Sequence, residues 1–298
     1  MALGWWKKGL AALGLVAFGN AGVEARAPAQ PKPALWRVAD KDTTIYLFGT
    51  IHLLPENYRW RSPAFDAAAQ RSQGLVVETK IDESNQAQFA ATMMQLGLQN
   101  GLPPIEQRVP AAKRPALAAA IAKSGVPAAV FNRMETWAAA FTLLGNQFRD
   151  MDLKQEEGVE TVLKKSFAAA GKPIGELESN AEQLGFFDVL PETAQRALLE
   201  GALEQPAAVR GQFNAMLAAW ARGDVNEIAR TFNADMGSSP ALRDTLLRRR
   251  NANWAGWIEQ RLAQPGSVMV AVGAGHLAGR DSVQELLKKR GVRVTRIQ

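Results

Sequence analysis

The chain contains two histidines, His52 and His276, and each closes the same local pattern. An apolar run ends in Gly49-Thr50-Ile51-His52 near one end and in Gly273-Ala274-Gly275-His276 near the other. A single histidine after a strand is commonly structural, but two in one repeated context point to a site. The glycines let the backbone turn where a Cβ would clash. Imidazoles so placed could ligate a divalent metal or serve as general acid and base. Two carboxylates follow strand-like runs in the same way: Leu75-Val76-Val77 leads into Glu78, and Pro173-Ile174-Gly175-Glu176-Leu177 into Glu178. A carboxylate abutting a buried apolar strand is costly unless it is paired or ligating. The plainer alternative for both is a solvated strand end. Arg250 and Asn251 enter by helical phase. On a helix from Ala241 to Ala263, Leu247, Trp254 and Ile258 form the apolar stripe. At about 3.6 residues per turn Arg250 and Asn251 lie on it, while Arg248 and Arg249 point elsewhere. Inward-facing polar groups need partners, and Glu78 or a substrate oxyanion would supply them. The alternative for Arg250 is snorkelling at the rim of the stripe.

These groups converge only if their strands are adjacent and parallel. Leu35–Val38 and Thr43–Phe48 flank the polar Ala39–Asp42 and read as a hairpin. Gly74–Glu78 is a short buried-strand pattern, and Ser267–Val272 is the strongest one, apolar throughout as when both faces are covered. Val292–Ile297 alternates with period two, as on an edge strand. Helical patterns fill the rest: Pro63–Gln73, then Gln86 to about Ala168 with breaks at 101–104, Pro110, Pro115 and Pro127, and then Glu192 to about Ala263. The predicted fold is α/β, a central mixed sheet with flanking helices and a large helical insertion at about 84–170. In open sheets of this kind ligands sit at the carboxyl ends of the strands. Met134, Trp137, Ala138 and Phe141 share helical spacing and read as core.

Several function classes drop out. The chain has 298 residues and no cysteine, so disulfide frameworks, thiolate metal sites and thiol nucleophiles are excluded. A net charge of +6 is spread along the chain without interleaved aromatics, which does not describe a nucleic-acid groove. Gly273-x-Gly275-x-x-x-Gly279 lacks the following βαβ unit and acidic residue of a dinucleotide site. No nucleotide cofactor is expected. Ser282-x-x-Glu285 reads instead as a capping box opening the last helix, with Gly291 closing it. No nucleophile elbow, phosphate loop or His-Glu-x-x-His motif is present.

The N-terminus has the form of a secretory signal. Lys7-Lys8 precede an apolar run from Gly9 to Gly19, followed by small residues around Ala25-Arg26-Ala27. That run is too short to span a bilayer, which takes about 20 residues. The expected organisation is a signal peptide over residues 1–27 and a single domain over 28–298. The expected location is periplasmic or secreted, with no stable membrane span after cleavage.

Together these residues resemble the TraB/GumN family, related to PrgY-type pheromone-shutdown proteins and the Tiki proteases. The resemblance rests on Leu35-Trp36-Arg37-Val38 with Tyr46 to His52, on Leu75 to Glu78, on Gly158-Val159-Glu160, Gly171-Lys172-Pro173 and Leu177-Glu178 with Gln183-Leu184, and on Arg250-Asn251, Trp254 and Val272 to Gly279. It implies a Tiki/erythromycin-esterase-like fold and, by analogy with Tiki relatives, a metal-dependent peptidase using His52, His276 and Glu78. The expectation is thus an exported hydrolase acting on a peptide or small-molecule substrate. His52, Glu78, His276 and Glu178 would hold a divalent metal (Mn²⁺, Zn²⁺ or Co²⁺), and Arg250 and Asn251 would stabilise charge on the scissile carbonyl. Two alternatives stand beside it. One is a metal-free esterase-like hydrolase with His52 as general base, activated by Glu78. The other is a non-catalytic peptide- or glycan-binding protein with a groove near Met93-Met94 and Trp137.

Overall fold

Asp40 begins the first turn of the fold: its carboxylate accepts from the backbone N–H groups of Asp42 and Thr43 at 3.1 and 2.8 Å. That turn joins β1 (Leu35–Ala39) to β2 (Thr43–Thr50) as the expected antiparallel hairpin, with Val38 opposite Ile45. The computed structural model describes residues 30–80, 86–149, 151–236 and 239–298. The expected signal segment lies outside the described residues. Among those described, no helix is long and apolar enough to cross a membrane.

Helix α1 (Pro63–Arg71) follows, then β3 (Gly74–Val77). The segment before β4 (Ile174–Glu176) is helical, as expected: α2 (Gln86–Gly97), α3 (Arg114–Ser124), α4 (Ala128–Phe131), α5 (Thr136–Arg149) and α6 (Val159–Ala169). Pro115 stands in the first turn of α3 and starts a helix rather than breaking one, since its missing N–H costs nothing there. A second helical block comprises α7 (Asn180–Asp188), α8 (Glu192–Gly201), α9 (Pro206–Ala221), α10 (Val225–Met236), α11 (Pro240–Arg243) and α12 (Arg250–Leu262). Then come β5 (Gly266–Gly273), α13 (Val283–Lys289) and β6 (Val294–Arg296).

The six strands form one mixed sheet in the order β4-β3-β5-β2-β1-β6. The pairs β4–β3, β3–β5 and β5–β2 are parallel; β1 is antiparallel to both neighbours. β6 is the edge strand its alternation suggested. Strand period two sends neighbouring side chains to opposite faces. Tyr46, Phe48, Leu75, Val77, Met269 and Ala271 join one core with the long helices, α5 and α9 among them. Ile45, Leu47, Val76, Val268, Val270 and Val272 join a second core with Trp254 and Ile258 of α12 and Leu287 of α13. The sheet is therefore sandwiched between helices, as expected for a largely parallel sheet. Trp137, Ala138 and Phe141 are buried core residues, as their spacing indicated.

Two local readings need correction. The helix expected from Ala241 to Ala263 is not uniform: a wider π-type stretch, Asp244–Arg249, joins α11 to α12. The capping box expected at Ser282 is not formed. Ser282 does occupy the N-cap of α13, but its side chain makes no capping hydrogen bond and its Oγ is buried without a hydrogen-bond partner among the described residues. The capping box belongs instead to Ser179 and Glu182 at the start of α7, at the edge of the site described below. Gly291, at φ 82°, ends α13 as expected.

Candidate functional site

The parallel strands deliver their exit residues to one edge of the sheet. Following the strand order from β4 to β2, these are Glu178, Glu78, His276 and His52. All four are buried, at 6, 3, 2 and 9% exposure. The two Gly-x-x-His segments lie against each other: a Cβ on Gly49 would stand 3.1 Å from Ala274 Cα. The indole N–H of Trp220 in α9 donates to the Gly49 carbonyl at 2.7 Å and holds that turn in place.

Arg250 is the hub. It is fully buried, at the start of α12 just beyond the π stretch, and its nitrogens face three of the exit residues. Nη2 donates to Glu78 Oε2 at 2.7 Å and to Glu178 Oε2 at 2.8 Å, and Nε donates to Glu178 Oε1 and Oε2, both at 3.0 Å. Nη1 lies 3.2 Å from His276 Nε2. The guanidinium also sits over the rings of Trp254, at 4.8 Å, and Phe186, at 5.6 Å. Glu78 accepts further from the Gln183 side chain at 3.0 Å and the Gly273 N–H at 2.7 Å, and Glu178 from the Trp254 indole at 3.0 Å.

The tautomer of His276 follows from its neighbours. Asn251 donates its amide N–H to the Asp281 carbonyl at 2.7 Å, so its Oδ1 faces His276 Nδ1 at 2.6 Å. Nδ1 therefore carries the proton, and Nε2 accepts from Arg250. Burial, the Arg250 charge and His52 all push the His276 pKa well below its ordinary 6.5, so the ring is neutral. Burial pushes Glu178 up from the carboxylate range, with Glu78 adding to it; Arg250 and the Trp254 N–H oppose the shift. Burial works against the Arg250 charge, but Glu78 and Glu178 outweigh it and raise its pKa. The cluster thus gathers two acidic side chains, one guanidinium and one neutral imidazole.

His52 has a different partner from the one expected. Its Nδ1 lies 2.9 Å from Oε1 of Glu160, in the first turn of α6, and Thr50 Oγ1 donates to the same oxygen. Glu78 is committed to Arg250 and Gly273, so the expected His52–Glu78 pairing is replaced by His52–Glu160. Glu160 Oε2 is buried without a hydrogen-bond partner among the described residues. Reasoning from strand exits missed Glu160 because it opens a helix. It also missed Gln183 and the indole N–H of Trp254. The Gly158-Val159-Glu160 segment was visible only through the family resemblance.

As placed, three of the four residues expected to hold a metal are gathered around a cation. The carboxylates of Glu78 and Glu178 and the lone pair of His276 Nε2 all surround the Arg250 guanidinium, and a divalent cation there would lie against a fixed positive charge. Among the described residues no group of three or more His, Asp or Glu side chains could hold a metal ion. Arg250 and Asn251 both face internal partners of the cluster.

Comparisons with known proteins agree with the motifs. The chain is 29% identical over 168 residues to an uncharacterized protein, YbaP, of Escherichia coli (strain K12), a match covering 55% of this chain and 60% of the relative. The uncharacterized YbaP of Shigella flexneri matches to the same extent. No solved structure matches the chain. The profile of the TraB/PrgY/gumN family matches residues 34–296, which take in every strand and every site residue described above, and the chain belongs to that family.

Proposed function

We propose that this chain is a hydrolase in which His52, oriented by Glu160, is the general base that activates water against an acyl carbon of a peptide or ester. The observation that carries the reading is the 2.9 Å pairing of His52 Nδ1 with a buried carboxylate, at the sheet edge that also carries the imidazole of His276. His52 Nε2 takes a proton from water as the water oxygen bonds to the acyl carbon. Glu160 accepts the Nδ1–H and stabilises the imidazolium. On collapse of the tetrahedral intermediate, the same proton passes from Nε2 to the leaving nitrogen or oxygen. No step needs a side-chain nucleophile, in keeping with a chain that lacks cysteine and a nucleophile elbow. Arg250 and Asn251 are positioning residues here, holding Glu78, Glu178 and His276 in one arrangement. The N-terminal pattern supports an exported protein, which would put the substrate in the periplasm or outside the cell.

The test is cleavage of a broad peptide library and an ester panel by wild type, His52→Ala and Glu160→Gln, each with and without chelator. Loss of about 10²- to 10⁴-fold in both variants, with wild type indifferent to chelation, is the expected result. Undiminished activity in His52→Ala defeats the reading. Activity abolished by chelation and restored by Mn²⁺, Zn²⁺ or Co²⁺ transfers it to the metal-dependent peptidase of the family resemblance. Retained ligand binding by a His52→Ala/His276→Ala double variant, with no turnover in wild type, transfers it to a binding role.

A further inference from the structure

We propose that Gly158-Val159-Glu160 is a clamp that fixes the position and tautomer of His52, and that Gly158 is indispensable to it as a positioning residue. Three consecutive residues each hold one part of the first Gly-x-x-His turn. Glu160 accepts from Thr50 Oγ1 and lies 2.9 Å from His52 Nδ1, and the Val159 N–H donates to the Ile51 carbonyl at 3.0 Å. Gly158 passes so close to His52 that a Cβ there would overlap the His52 carbonyl oxygen and stand 2.6 Å from its carbonyl carbon. The atoms in the way are backbone, which cannot swing aside as a flexible side chain would. Gly158 has φ −58° and ψ 143°, a conformation open to any residue. Its glycine therefore answers to space alone and not to a left-handed backbone.

The clamp is braced on both sides. Upstream, Leu54 and Lys154 form an isolated antiparallel bridge, with N–H···O distances of 3.2 and 2.9 Å, and Lys154 also pairs with Glu56. Downstream, Gly158 is the N-cap of α6, so Glu160 lies in the first helical turn, where the exposed N–H dipoles favour a negative charge. The last part of the helical insertion thus grips the loop that carries His52. The catalytic consequence rests on the hydrolase reading above; the positional one does not.

The chain has two histidines, so ring ¹⁵N spectra of the full-length labelled protein contain two assignable imidazoles, with His52→Gln identifying the signals. At about pH 8, wild-type His52 is expected as a single Nδ1–H tautomer, because a neutral ring carries its proton where the acceptor is. In Gly158→Ala the His52 nitrogens should move toward tautomer-averaged values, while those of His276, held by Asn251, stay in place. Where turnover is measurable, kcat should fall by about 10²-fold with little change in KM, as for a displaced catalytic group. Should Gly158→Ala fail to fold, Val159→Pro removes the N–H to Ile51 while keeping a residue suited to the first helical position, and should move the same His52 signals. Wild-type His52 lacking the Nδ1–H tautomer overturns the proposal. So do unchanged His52 signals in folded Gly158→Ala or, if that variant does not fold, in Val159→Pro. Displaced His52 signals in a protein that hydrolyses nothing would uphold the clamp and defeat the hydrolase.

Discussion

Replacing Arg250 with methionine removes the cation that contacts Glu78 and Glu178, whose exposures are 3 and 6%. The change takes away the positive charge that lies between the two acidic side chains and withdraws the donor facing His276 Nε2. Breaking a buried ion pair by deleting one partner costs about 3–5 kcal/mol, chiefly through the charge left unpaired. For a chain of this size, about 2 °C of melting temperature corresponds to 1 kcal/mol, so the expected drop is roughly 6–10 °C. Glu178→Gln added to Arg250→Met should recover most of it. Glu78 keeps the Gln183 and Gly273 donors, and the new amide oxygen still accepts from Trp254. The deficit of the single variant should also be smaller at about pH 5 than at about pH 8. Carboxylates without Arg250 have raised folded-state pKa values, and such groups contribute stability at low pH that is lost as pH rises. Thermal unfolding of wild type, the single and the double variant at both pH values measures all of this. A single variant within about 1 kcal/mol of wild type, or a double variant no more stable than the single, would refute the buried-charge account.

Four further outcomes follow from the same contacts. The His276 pKa lies well below 6.5 in the folded chain, so the unfolded chain binds the extra proton first; stability present above about 6.5 should be lost as pH falls below it, by up to about 1.4 kcal/mol per unit. His276→Gln should flatten that slope in urea titrations, and an unchanged slope counts against a buried neutral ring. Asn251→Ala strands the His276 Nδ1–H and should cost about 1–3 kcal/mol while shifting the His276 ring signals and leaving those of His52 alone. Trp220→Phe removes the indole donor to Gly49 and should cost about 1–2 kcal/mol; equal stability would show that the turn needs no such anchor. Arg108→Met strips donors from the carbonyls of Pro103, Asn132 and Met134, and hydrogen exchange should rise across that part of the helical insertion before it rises in β5.

Much of this arrangement could be read from local pattern. The apolar runs at β3 and β5 marked strands covered on both faces, and a polar or charged residue ending such a run had to meet a partner. That reasoning reached Glu78, Glu178, His52 and His276 from composition and spacing. Helical phase placed Arg250 and Asn251 inward, and both are fully buried. It overlooked the π stretch before them, whose wider turn leaves the same apolar signature. It also put the capping box at Ser282 rather than Ser179, because the Ser-x-x-Glu spacing occurs at both and only the backbone geometry separates them.

Partnership was beyond the reach of local pattern. Thr50 meets Glu160 across 110 residues and Arg250 meets Glu78 across 172, distances over which residue spacing carries no information. Local chemistry determined which residues must be satisfied, since the cost of burying a charge or a polar group is a property of that group and its immediate run of neighbours. Strand order decided who satisfies whom. Inserting β5 between β3 and β2 puts His276 beside Glu78, and the return of α6 over the β2 exit assigns His52 to Glu160. Which carboxylate serves which imidazole is a consequence of chain topology.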